Sequence, residues 1–243
     1  MGIFKRKSRV DNNTTKNGVK LITVAKPKSV AAEQFRTVRT NIHFMAVLKT
    51  IAFTSANISE GKSTVAANLA VVWAQEGKSV LLIDADMRRP TLNSTFDLTG
   101  QSGLSTVLSS DQSEVNLNDL IQESGIEGLS LLPSGAVPPN PAELLSSQRM
   151  KVLLEAVKSQ YDLVVLDVPP MLEVTDTQTI AGSVDGVVLV VRQGMTQKAG
   201  VRRVVELLKM SHARLLGYVM NDVIPEDDAG YGYGYGYEKE SEN

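Results

Sequence analysis

TIAFTSANISEGKSTVAANLAVVWAQE, residues 50–76, is the stretch whose reading decides the fold. It opens on β-branched and apolar residues from Thr50 to Ala56, the composition of a short strand buried on both faces. It closes on helix formers from Ser63 to Glu76, and Gly77 follows where a helix should stop. Between the two, SANISEGKST (Ser55 to Thr64) sits after a strand and opens a helix, the context of a phosphate-binding loop. Gly61 allows close backbone approach, and the amides from Ser59 through Glu60 to Thr64 point at the phosphates. The positive helix end adds attraction, Lys62 reaches the β and γ phosphates, and Ser63 can ligate Mg²⁺. The full pattern asks for glycine at position 56, where Ala56 stands.

The same alternation continues outward. SVLLID (79–84), LSLLPSG (129–135), YDLVVLDVPP (161–170), GVVLVVR (186–192) and LLGYVMNDV (215–223) read as further buried strands. Helical patterns precede and separate them, from Val30 through EQFRTVRTNIHFMAV and in KAGVRRVVELLKM. VPPNPAELL starts what reads as a long helix, with Asn140 as N-cap and Pro141 at the first helical position. Residues 90–140 read less clearly, with the short pieces GLSTVL and NLNDLIQES ahead of the LSLLPSG strand. Strands alternating with helices predict an α/β domain of the P-loop NTPase type, a mostly parallel sheet with helices on both faces. That domain is expected over 21–224, between a flexible basic arm (1–20) and an acidic tyrosine-rich tail (225–243).

Composition narrows the possibilities. The chain has 243 residues, 42% of them hydrophobic and 21% charged, and no cysteine, which excludes disulfides and thiolate chemistry. No apolar run approaches a membrane span, and no apolar stretch follows the basic N-terminus as a secretory signal would. A formal net charge of −2 argues against a general nucleic-acid binder. Charge is nevertheless uneven: residues 1–20 carry six basic side chains against one acid, and 226–243 carry six acids against one lysine. Four of the six tyrosines, Tyr231, Tyr233, Tyr235 and Tyr237, alternate with glycine in that acidic end.

Two more strand ends bear carboxylates. LLIDADMRRP places Asp84 and Asp86 at the carboxyl edge of the sheet, where ligands of open α/β folds bind. Arg88 and Arg89 follow, either to neutralise phosphate charge or as ordinary surface arginines. LVVLDVPP runs into Asp167, as does the second metal strand of phosphate-loop nucleotidases.

The loop, the Asp84-Ala85-Asp86-Met87-Arg88-Arg89-Pro90 segment, the Asp167-Val168-Pro169-Pro170 segment and the tyrosine tail together resemble the bacterial tyrosine kinases of capsular and exopolysaccharide synthesis, in their Gram-positive cytoplasmic form. The resemblance implies transfer of the ATP γ-phosphate to tyrosines, including the chain's own tail within an oligomer, regulating polysaccharide synthesis and export. ATP and Mg²⁺ are the implied cofactors. Lys62 would hold phosphates, Ser63, Asp84, Asp86 and Asp167 would serve metal and catalysis, and Asp84 is placed to orient or deprotonate the phenol. Asn221 sits where the wider ATPase class contacts adenine. Glu33, Arg36 and Arg39 reproduce the E-x-x-R-x-x-R helix, implying a ring-like homo-oligomer, an octamer in the family. They share one helix face while Phe35, Val38 and Ile42 take another.

Implied partners are a transmembrane activator (chain-length-determinant) protein, a cognate tyrosine phosphatase and protein substrates. The expected location is the cytoplasm, at the inner face of the membrane. The alternative is a MinD/ParA-like spatial-organising ATPase without kinase activity. Its second loop lysine is missing, since Asn57 stands there.

Overall fold

The apolar runs read as strands all form strands, within a few residues of the expected ends. The computed structural model describes residues 14–45, 47–98, 101–110 and 116–224. Among these, seven strands make one sheet: β1 (Thr50–Ser55), β2 (Val80–Asp84), β3 (Gln122–Glu123), β4 (Leu129–Leu132), β5 (Leu163–Asp167), β6 (Gly186–Arg192) and β7 (Leu215–Asn221). Their order is β3-β4-β2-β5-β1-β6-β7, parallel throughout except for the β3–β4 pair at one edge. The helices are α1 (Thr14–Asn17), α2 (Ile22–Ala25), α3 (Val30–Met45), α4 (Lys62–Ala74), α5 (Leu92–Thr95), α6 (Leu104–Ser109), α7 (Pro141–Ser146), α8 (Gln148–Gln160), α9 (Asp176–Ala181) and α10 (Lys198–Met210).

Two apolar clusters occupy the two faces of the sheet. One joins Phe53, Val65, Leu69, Trp73, Leu82 and Val165, and the other Leu81, Ile83, Leu153, Leu166, Leu189 and Val204. α4 is apolar on nearly all sides, so it can only be a buried helix, and it lies between the sheet and α3. Phe35, Val38 and Ile42 of α3 join the core from their face, as their spacing predicts.

Two sequence readings need correction. VPPNPAELL does not begin one long helix. The chain breaks at Ser147, whose hydroxyl accepts from the amide of Met150 and starts α8 afresh. Asn140 does precede Pro141 at the helix start, but its side chain donates to Glu143 at 2.6 Å and does not cap. Within the stretch expected as a basic arm, α1 (Thr14–Asn17) lies among the described residues. Residues 14–20 are fastened by Val19 N–H to Thr95 Oγ1 (3.0 Å) and by the Lys20 carbonyl, which accepts from Asn68 (2.8 Å). The earlier part of the basic arm and the tyrosine tail lie outside the described residues.

Asn68 is a polar staple inside an apolar helix. It accepts from Thr23 N and Thr23 Oγ1 (3.1 and 2.9 Å) and donates to Lys20 O and Thr64 O (2.8 and 2.9 Å). Replacing it strands the buried amide and hydroxyl of Thr23. Asn68→Ala is therefore expected to lower unfolding stability by about 2–3 kcal/mol in urea titration; an unchanged midpoint would contradict this staple.

Candidate functional site

The sheet order assembles the site. β5 lies between β1 and β2, with Asp84 in register with Asp167 and Phe53 on the other side of Asp167. The three segments singled out in the sequence therefore leave adjacent strands at one carboxyl edge, the position of ligand sites in open α/β sheets.

The loop after β1 is braced by its own glutamate. Glu60 is buried, and its carboxylate accepts from Ala56 N (2.8 Å) and Asn57 Nδ2 (3.3 Å). Glu60 was expected among the nucleotide-binding residues; its side chain closes the loop, leaving its backbone amide for a ligand. Ser59 and Gly61 take left-handed conformations, with φ of 64° and 93°. Glycine suits position 61 because L side chains rarely adopt that φ, and a Cβ there would also push aside the Asn221 side-chain nitrogen, 2.1 Å away. Ala56, standing where the pattern asks for glycine, is fully buried beneath the loop. Ser63 and Thr64 follow in the first turn of α4.

Lys62 is the centre of the charge distribution. Its Nζ lies 2.7 Å from Asp86 Oδ2, 3.1 Å from Asp167 Oδ1 and 3.3 Å from Ser63 Oγ. Burial by itself would lower its pKa, but Asp167 and Asp86 outweigh burial and hold the ammonium above the usual lysine range. Burial pushes the Asp167 carboxyl up despite the opposing effect of Lys62, and one of its oxygens, Oδ2, is buried with no hydrogen-bond partner.

Asp84 is fully buried, and its oxygens accept three backbone N–H groups: Thr91 (2.8 Å), Leu92 (3.0 Å) and Asp86 (3.2 Å). Burial and then the Asp167 charge raise its pKa to about 7, against the opposing pull of the Leu92 and Thr91 amides. Asp84 thus shapes the turn that presents Asp86, whose Oδ1 accepts from Arg89 N at 3.1 Å. Three carboxylates face one ammonium, and the orphaned Asp167 oxygen sits among them. Among the described residues, no group of three or more His, Asp or Glu side chains could hold a metal ion. The unpartnered Asp167 oxygen, with Asp86 beside it, is the kind of group a hard cation takes when it completes its shell with phosphates and water.

A cavity of about 730 Å³ opens beside this edge, lined by Arg88, Met171, Leu172, Glu173, Gln178 and Arg203. Asn221 touches the loop, its Nδ2 donating to Glu60 O at 3.1 Å. Glu33, Arg36 and Arg39 stand apart from the site. Arg36 pairs with Glu33 and donates to Pro27 O (2.9 Å), while Arg39 reaches Val72 O (3.2 Å) and Glu76 (3.6 Å) at the end of α4. Tyr231, Tyr233, Tyr235 and Tyr237 are outside the described residues. The Glu60 brace and the Thr91 and Leu92 donors were not singled out in the sequence. Glu60 was visible as the one acid inside the loop, whereas nothing marked Thr91.

This geometry defines a phosphate-loop α/β domain built to bind a nucleotide with a metal, and residues 48–218 match the AAA domain family. Tyrosine-protein kinase YwqD of Bacillus subtilis is 47% identical over 204 residues, covering 83% of this chain and 85% of that protein. The solved kinase domain of the Escherichia coli tyrosine kinase ETK superposes with a TM-score of 0.81 at 34% identity, over 97% of this chain and 89% of that one. The chimerical protein CapA2B2 gives a TM-score of 0.78 at 38% identity, over 84% of this chain and 92% of that one. The chain belongs to the bacterial tyrosine-protein kinases of the capsule type. The organising-ATPase alternative is not favoured, because these relatives are named as kinases.

The charge cluster sets a pH dependence. In the fold Asp84 titrates near about 7, above its ordinary 3.8, so the folded state keeps a proton that the unfolded chain releases. The stability this contributes is fully present below about pH 4 and lost as pH rises through about 7. The melting temperature of the nucleotide-free protein should therefore fall between about pH 5.5 and 8. Lys62→Met should steepen that fall, costing about 3–5 kcal/mol at the alkaline end, because it leaves Asp86 and Asp167 buried without their cation. A profile as flat as that of an exposed carboxylate would contradict the placement.

Proposed function

We propose that this chain transfers the γ-phosphate of ATP, with Mg²⁺, to protein tyrosine hydroxyls, among them its own Tyr231, Tyr233, Tyr235 and Tyr237, in trans within an oligomer. The observation that carries this reading is the buried Lys62 held between Asp86 and Asp167, with Ser63 beside it and one Asp167 oxygen unpartnered.

Lys62 and the amides of residues 59–64 would hold the phosphates. Ser63, Asp86 and Asp167 would hold the metal, directly or through water. Bound Mg²⁺ draws charge from the β and γ oxygens and so eases departure of the leaving group. Asp84 is assigned to orient the phenol's approach through the turn it fastens. The arginine-lined cavity offers a path for an acidic, tyrosine-bearing segment. The tail has that composition, and the thirteen residues from Pro225 to Tyr237 reach roughly 40 Å when extended.

The subunit contact, the partners and the cellular role follow from the likeness to the family. Glu33 and Arg36 keep 65% and 30% of their side chains exposed, so they remain available for a ring-like, octameric subunit contact even with Arg39 turned onto α4. A transmembrane activator and a cognate phosphatase are the proposed partners, with regulation of capsular and exopolysaccharide synthesis and export as the role. No helix among the described residues is long and apolar enough to cross a membrane; recruitment to the inner membrane face is assigned to the activator on the family likeness. Each phosphotyrosine adds roughly −1.5 to −2 charge. A phosphorylated tail would therefore be repelled from the carboxylates of the site.

Three outcomes test this reading. Mixing a Lys62→Met chain that keeps its tail with an active chain whose four tail tyrosines are Phe should give phosphotyrosine on the former; none would contradict transfer in trans. Asp84→Asn should lower phosphotyrosine formation by about 100-fold. The same change should lower stability by about 1–3 kcal/mol, because a side-chain NH₂ then faces a backbone N–H. Full autophosphorylation in that variant would refute the role. Arg36→Ala with Arg39→Ala should give monomers in light scattering, and an intact oligomer would refute the subunit contact.

A further inference from the structure

The phosphate loop is gripped from outside by the ends of β6 and β7. Arg192, the last residue of β6, donates from Nη1 to the Ser59 carbonyl at 2.9 Å. Its Nε and Nη2 both donate to Asp222 Oδ2, at 3.0 and 2.8 Å, which fixes the plane of the guanidinium. Asn221, one residue before Asp222, donates from Nδ2 to the Glu60 carbonyl at 3.1 Å. The strand end itself is tied down by Gln193, whose N–H donates to Asn221 O (3.0 Å) and whose side-chain oxygen accepts from Ile224 N (2.8 Å). Two consecutive carbonyls of the loop are thus each held by a side chain from the same corner.

The consequence follows from peptide geometry. In a trans peptide the carbonyl and the next N–H point to opposite sides of the chain, and the described residues contain no cis bond. With the Ser59 and Glu60 carbonyls drawn toward β6 and β7, the N–H groups of Glu60 and Gly61 face the other side of the loop. Successive N–H groups turned to one side make an anion cradle. Ser59 must hold a φ of 64° to do this, a conformation a non-glycine residue takes up only when its surroundings enforce it.

We propose that Arg192, set by Asp222, is a positioning residue for the phosphate-binding loop. Together with Asn221 it aims the Glu60 and Gly61 amides at the nucleotide phosphates. Asn221 then acts on the nucleotide through the loop backbone. As a surface ion pair the Arg192–Asp222 contact stabilises the fold little, since 60% of the Asp222 side chain is exposed. Its effect is concentrated on the loop. The proposal rests on the nucleotide-binding reading, and it concerns how the loop is held for binding.

The test is calorimetric titration of the full chain with Mg·ADP, beside thermal melting of the nucleotide-free protein. Arg192→Ala should weaken Mg·ADP binding about tenfold, while the nucleotide-free melting temperature stays within about 2 °C of wild type. Arg192→Lys should recover part of the loss, because an ammonium can still bond the Ser59 carbonyl. Asp222→Asn should weaken binding about threefold. In turnover, the KM for ATP should rise with the loss of affinity more than kcat falls. Wild-type affinity in Arg192→Ala overturns the proposal, as does a loss matched by a general drop in melting temperature. If Arg192→Ala does not fold, wild-type affinity in Asp222→Asn overturns it. Failure of the wild-type chain to bind Mg·ADP would instead overturn the nucleotide reading itself.

Discussion

A buried ammonium between two buried carboxylates governs this molecule. Lys62 is nearly enclosed, and removing a lysine charge from water is costly unless anions stand against it; Asp86 and Asp167 do so at 2.7 and 3.1 Å. The compensation is not symmetric. Asp84 lies beside the same cluster, so the negative side chains outnumber the positive one, and both Asp84 and Asp167 are driven toward their protonated forms. The cluster thus holds more negative than positive side chains beside the phosphate loop, an environment that favours a bound metal cation.

The sheet order brings this cluster about. Asp167 ends the strand inserted between β1 and β2, so the phosphate loop, the Asp84–Asp86 turn and the Pro169–Pro170 exit all emerge side by side. Each exit is then fixed by bonds to its neighbours: Thr54 and Thr177 hydroxyls both donate to the Pro169 carbonyl, and Met171 N–H donates to Ser55 O. The carboxylates are positioned by backbone amides and neighbouring strands, and little depends on mobile side chains.

Much of this was legible in the residue order. Buried parallel strands announce themselves as short β-branched runs, and GVVLVVR forms β6 over the same residues. The lysine was marked by the loop pattern between strand and helix, and the three aspartates by strand ends. What escaped has a common physical cause: it depends on contacts distant in sequence or on choices between nearly equal local states. The break at Ser147 turns on whether one hydroxyl caps a new helix or the helix continues. The two-residue β3 has no pattern of its own and exists because β4 offers an edge. The fastening of residues 14–20 depends on Asn68, which looks like an ordinary polar interruption until Thr23 and Lys20 are placed against it. Arg192 gave no signal in the sequence, since its partner Ser59 lies 133 residues away. The likeness to the capsule-type kinases carried the activity, the cofactors and the tail's role, none of which periodicity or composition reaches.

The most direct measurement is tandem mass spectrometry of the full chain after incubation with Mg·ATP, beside the Lys62→Met variant treated identically. Phosphate on the tyrosines between residues 231 and 237 of the wild-type chain, and none on the variant, is the predicted result. Hydrolysis of ATP by a wild-type chain whose tyrosines stay unmodified, or equal phosphorylation of the variant, would contradict the account.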